Sequence, residues 1–256
     1  MRGDDRREAI IELLLAQESA TILELVDRFG VSHMTIRRDL DALAEEVTVD
    51  RGQAQLLQNS GVEPRYAAKQ RVNASLKAQI ARYAAEHFVQ DGDVILLEGG
   101  TTVTAMARYL PGRSDLTVVT NGLYTINELT RLLPNATVMS TGGVLRDLSF
   151  TYIGPSTEHF LSAIHARTLF VSATGFTLEH GFTDPNPLEA QVRRAMVRCA
   201  ERVVVLLDST KFGVVSLVTV APANGVDVIV TDAGAPEHEL SQLREAGVDV
   251  HVVAQT

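Results

Sequence analysis

Residues 31–40 read VSHMTIRRDL and decide how the amino-terminal part of the chain is interpreted. Ser32 stands directly before a helical pattern, where its hydroxyl can accept a hydrogen bond from an amide of the first turn. Gly30 allows the backbone before it to turn tightly. Three apolar residues then recur at helical spacing, Ile36, Leu40 and Leu43. The stretch therefore predicts a short helix that starts at Ser32 and buries one apolar stripe.

The residues of this helix outside the stripe have side chains suited to DNA. Arginines and hydroxyls can hold phosphates, and side chains near the start of such a helix can reach base edges. The candidates are Ser32, His33, Met34, Thr35, Arg37 and Arg38. The pattern leaves open which of them contact bases and which contact phosphates, and an ordinary solvated helix would show a similar pattern.

The sequence before residue 31 favours a helix-turn-helix over an isolated surface helix. Two amphipathic stretches precede it, with apolar residues Ala9, Ile10, Leu13 and Leu14 in the first and Ile22, Leu25 and Val26 in the second. The tripeptide Phe-Gly-Val at 29–31 then gives the brief turn expected between paired helices. Three consistent elements indicate DNA binding more strongly than one motif does.

The length and charge of the chain bound its organisation. Its 256 residues are enough for a small amino-terminal module and a larger second domain. The formal net charge of -9 predicts a weak non-specific attraction to DNA. We therefore expect binding to depend on a few placed arginines and on paired half-sites, and so expect a homodimer or a homotetramer.

Several classes of protein are not expected. The single cysteine, Cys199, falls in a predicted helix and offers neither a disulfide nor a cysteine-based metal site, and we expect no metal and no cofactor. No apolar segment reaches the length of a membrane span, and the polar start lacks the core of a signal peptide. These features predict a cytoplasmic protein that does not associate with a membrane.

The composition changes near residue 60. A polar segment around Pro64 predicts a linker at 61–74, between a DNA-binding domain at 1–60 and a second domain at 75–256. Predicted strands are 93–97, 116–120, 137–140, 168–172, 203–207, 226–231 and 248–253, and predicted helices are 75–88, 102–110, 123–133, 188–201 and 236–246. Continuous apolar runs are typical of strands buried on both faces. We therefore predict an α/β fold with an open, mostly parallel sheet.

Polar residues and glycines follow four of these strands, at the sheet edge where α/β proteins bind ligands. After the first strand, Gly-Gly-Thr-Thr leads into a helix, and its bare backbone, hydroxyls and free amides form a natural phosphate cradle. Many such turns use glycine only to change direction, so a purely structural role stays open. The candidate ligand-binding residues at the four ends are Glu98, Gly99, Gly100, Thr101, Thr102, Thr120, Asn121, Gly122, Gly142, Gly143, Asp208 and Lys211.

Charged residues near these strand ends each have two interpretations. The ammonium of Lys211 could reach a phosphate or pair with Asp208, whereas a solvated helix face is the favoured interpretation of Lys77. Glu98 could accept hydrogen bonds from sugar hydroxyls, which we favour, or cap the following helix. Two further candidates are weaker. Arg146 could bind an anion or lie at a subunit interface, and Asp184 could select hydroxyls or organise its turn.

The motifs of both halves resemble those of the DeoR family of bacterial sugar-metabolism repressors. The first match runs from Arg6-Arg7 through FGVS at 29–32 to TIRRDL at 35–40, and the second includes LEGGTT at 97–102, VVTNG at 118–122, TGG at 141–143 and LDSTKFG at 207–213. The resemblance implies a winged helix-turn-helix and a sensor domain similar to ribose-5-phosphate isomerase. It also implies a repressor of sugar catabolism or transport genes that a phosphorylated sugar releases from operator DNA.

The chain departs from the family pattern at two places. The family's wing carries a basic residue and paired glycines, and residues 47–57 retain Arg51 and Gly52 but place Gln53 where the second glycine stands. Glu98 and Gly99 stand where the family commonly has aspartate and often has serine. The resemblance therefore adds Arg51 to the DNA-binding candidates and indicates an altered wing turn and an altered pocket floor.

An isomerase is the main alternative function. It requires a carboxylate base and a cation near the substrate carbonyl, and Glu189, Asp184, Glu98 and Lys211 could supply them. The glycine-rich lysine segment of the isomerases is absent before Glu189, so we predict that the chain is not an enzyme. A third possibility is a phosphosugar-binding protein whose first domain docks another protein. The arginines of the recognition helix would distinguish this possibility from DNA binding.

Overall fold

The protein is described from a computed structural model that covers residues 2–17, 19–44, 46–56, 63 and 65–254. Its contacts divide the chain into two compact units, Met1–Val72 and Asn73–Thr256. No helix among the described residues is both long and apolar enough to cross a membrane. The two units are described separately below.

The first unit has four helices and a small antiparallel sheet. In chain order its elements are α1 (Gly3–Gln17), β1 (Ser19–Thr21), α2 (Ile22–Phe29), α3 (His33–Ala42), β2 (Val47–Asp50), β3 (Gln53–Leu56) and α4 (Tyr66–Arg71). The sheet has the order β1-β3-β2. The predicted apolar stripes meet in one core, whose fully buried members include Ile10, Leu14, Leu25 and Ile36. This packing of α1, α2 and α3 gives the predicted winged helix-turn-helix fold.

Local chemistry fixes where the paired helices begin and end. Thr21 and Glu24 form a capping box at the start of α2, and Gly30 ends that helix with a φ of 62°. The hydroxyl of Ser32 accepts a hydrogen bond from the amide of Thr35 at 3.2 Å, which confirms the predicted start of α3. The turn between α2 and α3 is therefore set by one left-handed glycine and one serine cap.

The second unit is an α/β domain with a seven-stranded parallel sheet. In chain order its elements are α5 (Ala74–Phe88), β4 (Val94–Leu97), α6 (Thr101–Thr104), β5 (Thr117–Thr120), α7 (Leu123–Leu132), β6 (Thr137–Ser140), β7 (Val144–Arg146), β8 (Thr151–Ile153), α8 (Pro155–Ser162), β9 (Ala166–Val171), β10 (Gly175–Thr177), β11 (Gly181–Asp184), α9 (Pro187–Arg198), β12 (Ala200–Leu206), β13 (Val218–Ala221), β14 (Val228–Asp232), α10 (Glu237–Glu245) and β15 (Asp249–Val253). The seven predicted strands are the seven strands of this sheet, with ends within three residues of those expected.

The order of the sheet is β15-β14-β12-β9-β4-β5-β6, and every neighbouring pair is parallel. One face packs against α5 and α7, and the other packs against α8, α9 and α10. From β4 the chain moves outward through β5 and β6, and then returns to the opposite side of β4 with β9. This reversal creates a switch point between β4 and β9, where open α/β sheets bind ligands at the carboxyl ends of their strands.

Some elements differ from the sequence-based expectation. The helix expected at 102–110 is a single α-helical turn, α6, followed by a 3-10 segment, Ala105–Tyr109. The segment expected to be a linker contains α4, and α5 begins at Ala74. Residues 57–62 and Pro64, on which the linker and the end of the wing also rest, lie outside the described residues. The β7-β8 hairpin, α8 and the small sheet β10-β11-β13 have no counterpart in the sequence analysis.

Candidate functional sites

The outward face of α3 carries four of the six residues expected to meet DNA. His33, Met34, Arg37 and Arg38 are exposed, whereas Ile36 and Leu40 are buried in the module. Neither arginine forms an ion pair with any residue that the structure describes. The face is therefore an available cationic surface, as a contact with phosphates requires.

The other two candidates on this helix have local structural roles. The hydroxyls of Ser32 and Thr35 lie 2.9 Å apart, and Ser32 also caps the first turn. These contacts fix the start of the helix and leave both side chains at its amino-terminal end. Amide groups at that end of a helix point away from its body and favour an anion.

Asp39 is a buried charged position that the sequence analysis did not identify. Its carboxylate lies in the buried stripe, 2.6 Å from Nε of Arg6 on α1. This ion pair ties the recognition helix to α1 and compensates a negative charge next to two arginines. The signal was present in the sequence, because Asp39 falls between Ile36 and Leu40 on the stripe and a buried carboxylate needs a partner.

The wing is a hairpin with a two-residue turn at Arg51 and Gly52, whose φ angles are 48° and 84°. Two positive φ angles are typical of the turn type that matches the twist of paired strands. Gln53 lies in β3 opposite Thr21, and its amide donates to the hydroxyl of Ser19 at 2.8 Å. A second glycine is not required at 53, because that residue already belongs to a strand. Arg51 is exposed at the tip.

At the switch point of the second unit, Glu98 lies between β4 and β9 and is 1% exposed. Its Oε2 accepts hydrogen bonds from the amide and hydroxyl of Ser172, at 3.3 and 2.9 Å. Its Oε1 accepts from Nε and Nη2 of Arg193, at 3.3 and 2.9 Å. Both oxygens of Glu98 therefore have partners inside the protein, and the carboxylate joins the ends of the two central strands.

Arg193 is the residue that sequence reasoning missed at this site. Its guanidinium pairs with Glu98 and also with Asp184 at the end of β11, so one buried cation balances two buried carboxylates. Burial alone would raise the pKa of Glu98. The charge and hydrogen bonds of Arg193 and the hydrogen bond from Ser172 outweigh this effect, so the pKa lies below its ordinary value. Glu98 therefore stays ionised as part of a three-residue network.

The glycines after β4 and β5 allow two loops to touch. A Cβ on Gly99 would lie 2.7 Å from Cα of Gly122, and a Cβ on Gly100 would lie 2.2 Å from the hydroxyl of Ser172. The amide of Gly99 donates to Oδ1 of Asn121 at 3.0 Å. Close packing accounts for the glycines, and the same packing holds the start of α6 at the switch point.

The remaining predicted residues of these ends are mostly buried. The hydroxyl of Thr120 accepts from the amide of Gly122 at 3.0 Å. Thr102 is buried and Thr101 is half-buried at the start of α6. The loop after β6 is fixed by Thr157, which donates to the carbonyl of Gly142 at 2.6 Å, and a Cβ on the neighbouring glycine, Gly143, would collide with Thr157.

Arg146 and Glu189 form a second ion pair of this edge. Nη1 of Arg146 lies 3.3 Å from Oε1 of Glu189, and the hydroxyl of Thr151 donates to the same oxygen at 2.9 Å. Glu189 lies one turn before Arg193 on α9, so that helix presents two charged side chains, both buried, to the carboxyl ends of the sheet. Both ends of the Arg146–Glu189 pair are thus engaged within the protein.

Two lysines and an aspartate gather at the end of β12. Lys77 is 6% exposed, so the expectation of a solvated helix face is wrong. Burial would raise the pKa of Asp208, but the ammonium groups of Lys211 and Lys77, with hydrogen bonds from Thr210 and Asn73, hold it below its ordinary value. Lys211 forms no direct salt bridge with a carboxylate among the described residues. The ammonium groups of Lys77 and Lys211 therefore both lie near the buried carboxylate of Asp208 at this strand end.

The two units together define a class of protein, a DNA-binding regulator with a separate ligand-sensing domain. Residues 6–59 match the model of the DeoR-like helix-turn-helix domain, and residues 72–233 match the model of the DeoR C terminal sensor domain. The chain belongs to the DeoR family of transcriptional regulators. This membership confirms the resemblance seen in the sequence motifs and identifies the second unit as a sensor domain.

Two transcriptional regulators are similar to this chain over nearly their whole length. The HTH-type transcriptional regulator GolR of Listeria innocua is 36% identical over 97% of this chain and 98% of its own. A putative aga operon transcriptional repressor of Escherichia coli O157:H7 is 34% identical over 98% of this chain and 94% of its own. The structure of ribose 5-phosphate isomerase A of Methanocaldococcus jannaschii is 18% identical over 55% of each chain, with a TM-score of 0.40.

Proposed function

We propose that this regulator is a repressor that binds operator DNA through the outward face of α3 and is released by a phosphorylated sugar. The observation that carries the DNA-binding part is the combination of exposure and charge on that face. Arg37 and Arg38 project from a helix whose opposite side is fully buried, and no described carboxylate neutralises them. A helix with this orientation can enter the major groove while α1 and α2 hold it.

The sensor part of the proposal rests on the charge group at the end of β12. A sugar phosphate carries close to two negative charges at neutral pH, and the ammonium groups of Lys77 and Lys211 at the end of β12 favour such an anion. The switch point between β4 and β9 lies at the same edge of the sheet, where the start of α6 presents the half-buried hydroxyl of Thr101. The phosphate is assigned to the lysines, and the sugar to the switch point.

Glu98 and Asp184 have a supporting role in this proposal. Their carboxylates are held by Arg193, so they shape the floor of the site and do not offer a free oxygen to a hydroxyl. Asn121 and the glycines of the two touching loops act in the same way. Arg146, which is already paired with Glu189, would enter a ligand contact only if that pair opened.

The same contacts favour a sensor over an isomerase. A general base must hold its carboxylate free to take a proton from the substrate. Glu189 accepts from Arg146 and Thr151, and Glu98 and Asp184 share Arg193. We therefore propose that the chain does not catalyse isomerisation. Purified protein should convert no pentose phosphate above a buffer control, and turnover abolished by Glu189→Gln would contradict the proposal.

Release from DNA requires only a modest coupling energy. A tenfold loss of operator affinity corresponds to about 1.4 kcal/mol of difference between the liganded and free states. Contacts of one phosphate with two ammonium groups can supply that difference if one arrangement of the protein favours them. We propose that the favoured arrangement no longer presents paired α3 helices, in a homodimer or homotetramer, at the spacing of two half-sites.

A DNA-binding titration tests the first part of the proposal. Arg37→Ala should weaken binding to the operator by about 1–3 kcal/mol, since it removes one phosphate or base contact. Arg131→Ala provides a matched control, because Arg131 is also exposed but lies on α7 of the sensor unit. Equal affinities of the Arg37→Ala variant and the wild type would instead favour a first unit that docks another protein.

A thermal-shift screen tests the sensor part. A ligand that binds only the folded state raises the melting temperature, so a phosphorylated sugar should do so where its unphosphorylated partner does not. Lys211→Ala should abolish the shift, whereas Lys69→Ala should retain it, because Lys69 pairs with Glu63 in the first unit. A response only to unphosphorylated compounds would overturn the phosphate assignment and leave the DNA assignment intact.

A further inference from the structure

Met34 has an exposure that the fold of the first unit does not account for. It is 62% exposed in the first turn of α3, although burial of a methionine side chain is favourable by about 1.5–3 kcal/mol. At 100° per residue it points away from the centre of the buried residues Ile36, Asp39 and Leu40. The side chain therefore occupies the middle of the outward face.

Charged groups surround this apolar side chain on the helix surface. Arg37 and Arg38 follow it by three and four residues, which places both one turn further along and on either side of it. His33 precedes it at the exposed start of the helix. An exposed apolar side chain between two cations is suited to contact an isolated apolar group on a polyanion. It is not suited to a broad apolar protein surface, which would leave the cations without partners.

We infer that Met34 reads thymine, through contact of its side chain with the C5-methyl group in the major groove. The methyl group of thymine is the apolar group that base pairs present there, and residues in the first turn of a recognition helix approach base edges. Arg37 and Arg38, one turn further on, are then positioned for phosphates or guanine on the two sides of that contact. This inference rests on the proposed function and assigns one side chain of its interface to sequence discrimination.

The test removes the methyl group from the DNA and the side chain from the protein. Duplexes that the purified full-length chain recovers from a random-sequence pool serve as the probe. Each thymine of the recovered half-site is then replaced singly by deoxyuracil, and dissociation constants are measured for the wild type, Met34→Ala, Met34→Leu and Arg37→Ala. Deoxyuracil placed outside the half-site serves as the DNA control.

For the wild type, replacement of one particular thymine of a half-site should weaken binding about fourfold. This is the factor that corresponds to about 0.8 kcal/mol for one buried methyl group. Met34→Ala should bind thymine and uracil duplexes equally, whereas Met34→Leu should retain the preference because it keeps an apolar contact. Arg37→Ala should bind both duplexes more weakly and preserve their ratio. A thymine preference that persists in Met34→Ala, or no sensitive thymine in the half-site, would overturn the inference.

The outcomes separate this inference from the function on which it rests. Failure to recover any DNA from the pool would refute the proposed operator binding, and the inference with it. Tight and specific DNA binding without a methyl effect would refute the role of Met34 alone. Because Met34 lies on the surface, unchanged thermal melting of the variants will show that altered affinities do not come from misfolding.

Discussion

The buried network around Arg193 should dominate the stability of the sensor unit. Its side chain is 10% exposed and is paired with Glu98 and Asp184, which are each 1% exposed. Arg193→Met keeps much of the side-chain volume but leaves two adjacent buried carboxylates without a cation. Removing one partner of a buried ion pair costs about 3–5 kcal/mol, so we expect at least that loss of unfolding free energy.

Glu98→Gln should have a much smaller effect, although it changes the same network. It leaves Arg193 and Asp184 as a pair of equal and opposite charges, and the new amide oxygen can still accept from Ser172. The loss of a charged hydrogen bond is offset in part by the removal of a buried charge, so we expect a cost of about 1 kcal/mol. The loss of unfolding free energy should therefore be several times larger for Arg193→Met than for Glu98→Gln.

Urea unfolding of the full chain, followed by far-ultraviolet circular dichroism, measures both variants. At an m-value of about 2 kcal/mol/M, Arg193→Met should lower the unfolding midpoint by about 1.5–2.5 M, and Glu98→Gln by about 0.5 M. Arg131→Met is the matched control, because Arg131 forms an exposed pair with Glu128 at 2.7 Å and should cost less than 1 kcal/mol. Equal losses of unfolding free energy for Arg193→Met and Arg131→Met would show that the buried network does not stabilise the sensor unit.

Three further predictions concern stability. The pKa values of Glu98 and Asp208 lie below their ordinary values of 4.5 and 3.8, so their stabilising contribution is complete above those values and is lost as pH falls through them. Urea midpoints should therefore decline below about pH 5, and less steeply in Glu98→Gln; a flat profile would contradict this. Gly100→Ala should cost about 1–3 kcal/mol, because its Cβ would meet Ser172, and an unchanged melting temperature would contradict it. Thr21→Ala removes the capping box of α2 and should cost about 1 kcal/mol, which is measurable as faster hydrogen exchange in α2 alone.

The parallel sheet was predictable because its physics leaves a strong pattern. Strands covered on both faces, such as β4 and β12, read as continuous apolar runs, and the helices between them keep a helical period. The strands of the β10-β11-β13 sheet have only three or four residues and mix glycine with threonine, so they leave no comparable run. The helix-turn-helix was predictable for a different reason, since its caps and its turn depend on single residues such as Ser32 and Gly30.

The candidate sites show where local patterns stop being sufficient. The glycine-rich strand ends were visible in the sequence, but the partner of Glu98 was not, because Arg193 stands 95 positions later beside a second arginine and resembles a solvated helix face. Lys77 was misjudged for a related reason, since its burial comes from the second unit's fold and not from its neighbours along the chain. The fold's topology determines which charged residues from distant segments meet, and the periodicity of a sequence does not reveal that topology.

We propose that a phosphorylated sugar weakens the binding of this regulator to DNA. The most direct measurement is a fluorescence-anisotropy titration of a labelled duplex selected by the chain, with and without each compound that raises the melting temperature. We expect at least a tenfold loss of DNA affinity with one phosphorylated sugar, and no loss with its unphosphorylated form. DNA affinity that no stabilising ligand changes, or that only unphosphorylated sugars change, would contradict the proposed release by a phosphorylated sugar.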